Sequence, residues 1–270
     1  MGRAVRIDDP ADPRLTPFRA VRERDLAGRD GGFIAEGEVV LRVLARSPLC
    51  RARSLLISER RLERLAPLIG MFADEVEVFA AAQQVMDAVV GFPIHRGVLA
   101  FGSRARAPTP AELLASHRPG GVVLALFGVS NHDNIGGLFR NAAAFGVEGI
   151  LVDAACADPL YRKAIRVSVG GTLLVPFARL AAGEDPVPLL GHAGLEALAL
   201  TPGGETPLAS LAASGDVAVL LGSEGQGLPP DLLARCRRVA IPMAGGFDSL
   251  NIATTSGIVL HHLMAARPGD

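Results

Sequence analysis

Apolar runs and amphipathic stretches alternate along this chain in two successive blocks. In the first, residues 33–45 (FIAEGEVVLRVLA) set an apolar pair before a glycine turn, then a helix with Val39, Val40, Val43 and Leu44 on one face. Ser54–Ser58 reads as a buried strand and Glu59–Leu65 as an amphipathic helix. Val76–Phe79 and Ala81–Ala88 repeat that strand–helix beat, and His95–Phe101 reads as a last strand. A short helix is expected near Pro17–Leu26.

Residues 103–110 are rich in Arg, Ala and Pro and read as a linker, followed by a short helix at Ala111–His117. We place a domain boundary near residue 118, giving an N-terminal domain of residues 1–118 and a C-terminal domain of residues 119–270. In the C-terminal domain, strands are expected at 122–127, 149–153, 197–200, 217–221 and 238–241. Helices are expected near 136–145, 160–168, 187–195, 208–213, 230–235 and 250–264. Continuous apolar strands separated by helices imply an α/β fold with a parallel sheet covered on both faces. Ligands in such sheets sit beyond the C-terminal strand ends.

Composition narrows the class. Hydrophobic residues make up 49% and charged residues 20% of the 270, which describes a folded globular chain. No apolar run approaches the ~20 residues that span a bilayer. Asp8, Asp9 and Asp12 stand where a secretion signal would need an apolar core. Cys50, Cys156 and Cys236 have no paired spacing, so neither a disulfide framework nor a zinc site is expected, and a reducing cytoplasm fits. Residues 1–118 carry 18 Arg and 15 acidic residues, whereas 119–270 carry 9 basic and 13 acidic ones. The near-zero net charge of −1 argues against tight nonspecific nucleic-acid binding and leaves room for a local basic patch.

Four polar, glycine-rich stretches follow apolar runs in the C-terminal domain. Residues 134–146 (NIGGLFRNAAAFG) contain Asn134, which reads on its own as a helix cap, and Arg140, which reads on its own as a surface residue. Residues 220–228 (LLGSEGQGL) place glycines 222, 225 and 227 around Glu224. Taken alone, they make an ordinary strand–turn–helix link or a phosphate cradle, but no Lys-Ser/Thr of a P-loop follows. Residues 241–245 (IPMAG) and 248–255 (DSLNIATT) end a strand, turn on glycines and start the last helix, where Ser249 and Asn251 read as cap and first-turn residues. His261 and His262 are adjacent, on different helix faces, and are not expected to ligate a metal.

Taken together and in order, these stretches resemble the three signature motifs of the TrmH-type (SpoU) RNA ribose methyltransferases of the SPOUT class. The likeness spans residues 119–265. The FIAEG and HRGVLA stretches near residues 33 and 95 resemble, less specifically, that family's small RNA-binding domain, which is similar to a ribosomal-protein fold. The resemblance implies a deep trefoil knot, a homodimer, S-adenosylmethionine as methyl donor and structured RNA (tRNA or rRNA) as substrate. It makes Arg140 the principal catalytic residue, with Asn134, Glu224, Ser249 and Asn251 positioning it and the ribose. Contacts to the donor would come from around Leu220, Gly222, Gly225, Ile241, Met243 and Leu250, and Arg166 is a candidate for RNA phosphate. Many relatives follow S-L-N with Val-Ser, where this chain has Ile252-Ala253. The competing readings are a noncatalytic RNA-binding or assembly protein on the same fold, and a base-directed methyltransferase.

Overall fold

The computed structural model describes residues 4–19, 32–94, 96–211, 216–246 and 248–264. Two compact units emerge: residues 1–106 with 160–174, and residues 107–159 with 175–270. The division thus falls at Arg106/Ala107, and the chain returns once to the first unit.

The first unit opens with β1 (Ala4–Arg6), a strand without a periodic signal, and a 3-10 turn at Pro13–Phe18. The helix expected at Pro17–Leu26 lies largely outside the described residues, as do His95 and residues 212–213 of the helix expected at 208–213. There follow β2 (Gly32–Glu36), α1 (Glu38–Leu44), β3 (Cys50–Ser58), α2 (Leu62–Ile69), β4 (Glu77–Ala81), α3 (Gln83–Val90) and β5 (Val98–Arg104). β3 begins four residues before the expected strand, and β5 runs into the expected linker, because the two pair antiparallel from Cys50↔Arg104 to Ile57↔Val98. The sheet order is β1-β4-β3-β5-β2. Alternating residues feed two cores: Leu55 and Ile57 point to one face, Leu56 to the other.

The second unit begins with α4 (Pro110–Ala115), whose Thr109 and Glu112 cap each other reciprocally. Then come β6 (Val122–Phe127), α5 (His132–Phe145) and β7 (Gly149–Val152). α5 starts four residues before the expected 136, because the Asn131 side chain caps it by accepting from Asp133 N–H. The next helix, α6 (Arg162–Val167), was expected in the second block, yet it packs on β2 of the first unit. Ile165 and Leu173 are fully buried in that unit's core, a destination that local periodicity cannot encode.

The chain continues through β8 (Phe177–Arg179), α7 (Pro186–His192), β9 (Glu196–Leu200), β10 (Thr206–Pro207), β11 (Val217–Gly222), α8 (Pro230–Leu233), β12 (Arg237–Ala240) and α9 (Ile252–Met264). β8 and β10 are too short to have shown a period. At 208–210 there is a 3-10 turn. Seven strands form one parallel sheet in the order β10-β12-β9-β11-β6-β7-β8. The chain leaves β6 toward β7 and leaves β11 toward β12, on opposite sides, so the adjacent C-terminal ends of β6 and β11 mark a switch point. Among the described residues, no helix is long and apolar enough to cross a membrane.

Candidate active site

A crevice of about 330 Å³ lies at the C-terminal ends of β9, β11 and β12. Its walls are the turn after β9 (Thr201, Pro202), the loop after β11 (Gly222–Gly227), and the segment from Ile241 to Leu250 leading to α9. Each wall is the stretch that follows the C-terminal end of a strand of the parallel sheet. The loop after β11 folds back on itself: Gly227 N–H donates to Ser223 O at 2.9 Å, and Gly227 sits at φ +67°. A Cβ on Gly222 would lie 2.2 Å from the Gly227 carbonyl carbon, so this hairpin closes only over a glycine.

Three of the polar residues singled out from the sequence, Asn134, Glu224 and Asn251, meet at one edge of this crevice. Asn134, near the start of α5 and almost buried, donates its side-chain amide to Glu224 Oε1 at 3.1 Å. Asn251 donates to Asn134 Oδ1 and to the same Glu224 oxygen, both at 2.9 Å. The Ile252 N–H also points at that oxygen, at 3.4 Å. Asn251 Oδ1 in turn accepts from Ala253 and Thr254 N–H, capping α9. The result is a closed network of three side chains from three separate stretches, anchored at two helix starts.

Of the other residues, Gly222, Gly225, Ile241, Met243, Ser249 and Leu250 line the crevice. Leu220 does not. Alternation along β11 turns its side chain into the opposite core and brings Leu221 to the crevice instead. Arg140 is exposed on α5 and does not line the crevice. Among the described residues it makes no hydrogen bond or ion pair. It sits six residues beyond Asn134, about 9 Å farther along the helix at 1.5 Å per residue. Arg166 lies on α6 in the first unit.

Thr201 and Pro202 were missed in the sequence, although they follow an apolar run just as the other stretches do. They are held close because Gly204 packs on β12, where a Cβ would come within 2.5 Å of the Val239 backbone. Thr255, the last residue of the 248–255 stretch and given no role there, reaches the crevice from the first turn of α9. Glu224 and Asp248 give the crevice two carboxylates, while Leu221, Ile241, Met243 and Leu250 give it apolar surface. That mixture suits a ligand with a flat apolar portion and a cationic portion.

Residues 121–261 match the SpoU rRNA Methylase family. An uncharacterized tRNA/rRNA methyltransferase of Mycobacterium tuberculosis is 41% identical over 268 residues, covering 94% of this chain and 90% of that protein. This chain belongs to the SpoU family. An AdoMet-bound rRNA methyltransferase from Sinorhizobium meliloti has the same fold, with a TM-score of 0.82, 24% identity, and coverage of 99% of this chain and 100% of that one. An RNA 2'-O ribose methyltransferase superposes with a TM-score of 0.76 at 23% identity, covering 97% and 98%. The SpoU family uses S-adenosylmethionine as methyl donor. The crevice fits it: the two carboxylates suit the sulfonium and ammonium charges, and the apolar walls with exposed backbone at Gly222–Gly227 suit the adenosine.

Proposed function

We propose that this chain transfers a methyl group from S-adenosylmethionine to a ribose 2'-hydroxyl of tRNA or rRNA. The observation that carries this reading is the Asn134–Glu224–Asn251 network, set at the edge of the donor crevice with Arg140 farther along the same helix as Asn134. The sulfonium is already an activated electrophile, so the protein has only to hold the hydroxyl in line and manage its proton. The ribose O–CH₃ bond forms as the S–CH₃ bond breaks, and the hydroxyl proton leaves to solvent. Arg140 offers a planar fork of N–H donors and no acceptor. Its role is therefore that of a cation that grips the neighbouring phosphate and stabilises the developing alkoxide. Asn134, Glu224, Ser249 and Asn251 set the geometry, and backbone groups around Leu221–Gly225, Ile241, Met243 and Leu250 hold the donor.

The same reading takes residues 1–118 as the RNA-binding domain, of ribosomal-protein-like fold, and the 241–251 segment as threaded through a deep trefoil knot. It takes the active form as a cytoplasmic homodimer in which a partner covers the α5–α9 surface. Ile258, an apolar side chain 41% exposed on α9, supports a covered face there. Its three thiols are unpaired, which matches a reducing compartment.

The deciding experiment incubates the protein with methyl-labelled S-adenosylmethionine and total bacterial RNA, then digests the RNA to nucleosides. A labelled 2'-O-methyl nucleoside is the expected product. Label on a base would make the enzyme base-directed, and RNA binding with no transfer would make it a noncatalytic RNA-binding protein.

A further inference from the structure

Asn141 follows Arg140 directly on α5 and was not among the residues that the motifs singled out. It is half-buried, and its side-chain amide donates to two groups of α9: Ala253 O at 2.6 Å and Ser256 Oγ at 2.9 Å. Ser256 is fully buried and donates onward to Ala253 O at 2.8 Å. On α5, residues 134, 137 and 141 share one stripe at helical spacing. Each of the three meets α9. Asn134 accepts from Asn251. Gly137 lets the helices close, since a Cβ there would lie 2.6 Å from Ala253 Cβ. Asn141 bonds the first turn of α9 and lies against Gly257.

This seam governs Arg140. Among the described residues, nothing holds the Arg140 guanidinium by a hydrogen bond or ion pair, so what the fold fixes is the direction of its Cα–Cβ bond, set by how α5 is rotated about its axis. With side chains reaching about 5–6 Å from a helix axis, a rotation of about 20° moves a side-chain tip by about 2 Å. Misplacement of a catalytic group by about 1 Å can cost ~10²-fold in rate. Core packing of Ile135, Leu138, Phe139 and Ala142 seats α5; Asn134 adds a polar tie at its first turn, and Asn141 adds a second two turns later, beside the arginine. Ala253 contributes its carbonyl to this bond and a methyl small enough to sit on Gly137.

We infer that Asn141 is a positioning residue: by clamping α5 to the start of α9 it fixes both the direction of Arg140 and the Asn251 bond to Asn134 and Glu224. This rests on the ribose-methyltransferase reading for its kinetic consequence and on geometry alone for the clamp.

Two variants and two readouts test it. Asn141→Asp keeps the side chain's shape but cannot donate to the Ala253 carbonyl, and Asn141→Ala removes the group. In both, kcat should fall about 10-fold or more, while KM for S-adenosylmethionine stays within about threefold. In parallel, the Asn251 side-chain amide protons, observed by NMR, should lose their protection from exchange. Wild-type kcat per folded molecule, or wild-type protection of Asn251, overturns the proposal. Should neither variant fold, Ser256→Ala leaves α5 intact and removes one acceptor; a kcat fall of about threefold supports the clamp and an unchanged kcat overturns it. If the wild-type protein transfers no methyl to RNA, the functional reading fails, while Asn251 protection in the variants still decides the clamp.

Discussion

Asn251 donates its side-chain amide to Oδ1 of Asn134 at 2.9 Å, across 117 positions of sequence. Both residues also donate to one oxygen of Glu224, so a single carboxylate oxygen ties the starts of α5 and α9 to the loop after β11. A carboxylate accepting several N–H groups is well satisfied, and its neighbours lose their partners together if it is removed.

Replacing Arg140 with Ala should lower kcat about 10²–10³-fold, the cost of losing one oriented stabiliser of developing negative charge. The donor site does not include this side chain, so S-adenosylmethionine affinity by calorimetry should stay unchanged. Normal turnover by the variant would remove Arg140 from the mechanism.

At position 137 two effects oppose. Alanine in a helix is better than glycine by about 1 kcal/mol, but a Cβ there meets Ala253 Cβ at 2.6 Å. The overlap should win, and Gly137→Ala should lose about 1–3 kcal/mol in denaturant unfolding. Adding Ala253→Gly should recover most of it. Additivity of the two single changes would mean that the helices do not touch there.

Gly222→Ala tests the hairpin over which the crevice is built. Its Cβ would fall 2.2 Å from the Gly227 carbonyl carbon, against backbone that cannot swing aside. We expect donor affinity to drop by about 10-fold or more with a stability loss of about 1–3 kcal/mol. Gly225, where a Cβ would meet nothing within 4 Å, should tolerate alanine sterically and serves as the control.

The thiols differ in reactivity by burial. Desolvation pushes Cys156 up to about 12 and Cys50 up to about 11, so at pH 8 both stay protonated in the folded protein. Cys236 is raised by burial too, but it is the one partly exposed cysteine. Iodoacetamide at pH 8 should therefore label Cys236 first, with Cys50 and Cys156 reacting only after unfolding. Mass spectrometry of the labelled peptides reads the order directly, and early modification of Cys156 would contradict its burial.

The RNA-binding role proposed for the N-terminal domain makes Arg51 and Arg53 its expected phosphate contacts. Both are exposed on β3, and Arg53 Nε donates to Ser103 Oγ at 2.9 Å on the neighbouring β5. Neither residues 39–58 nor residues 97–111 contain a carboxylate to neutralise them. The double Ala variant should bind RNA more weakly at low salt, with a log K against log [salt] slope flatter by about 0.7–0.9 per lost phosphate contact. An unchanged slope would place the RNA elsewhere.

Much of this protein was legible in its residues. Continuous apolar runs such as Val122–Phe127 and Val217–Gly222 read as strands buried on both faces, which puts the glycine-rich and polar stretches after them at strand ends. The motif order was enough to point to the family. Tertiary structure alone decided three things. It sent α6 back to the first unit, because Ile165 and Leu173 are buried in a core otherwise formed by residues between Phe33 and Ala100. It turned Leu221 rather than Leu220 toward the crevice, since strand phase depends on which face each core covers. It also brought Asn141 onto Ala253 and Ser256, a contact between two helices whose local sequences carry no mark of each other. Periodicity records which face of an element is buried, and it does not record what lies against that face; only the packed chain supplies that.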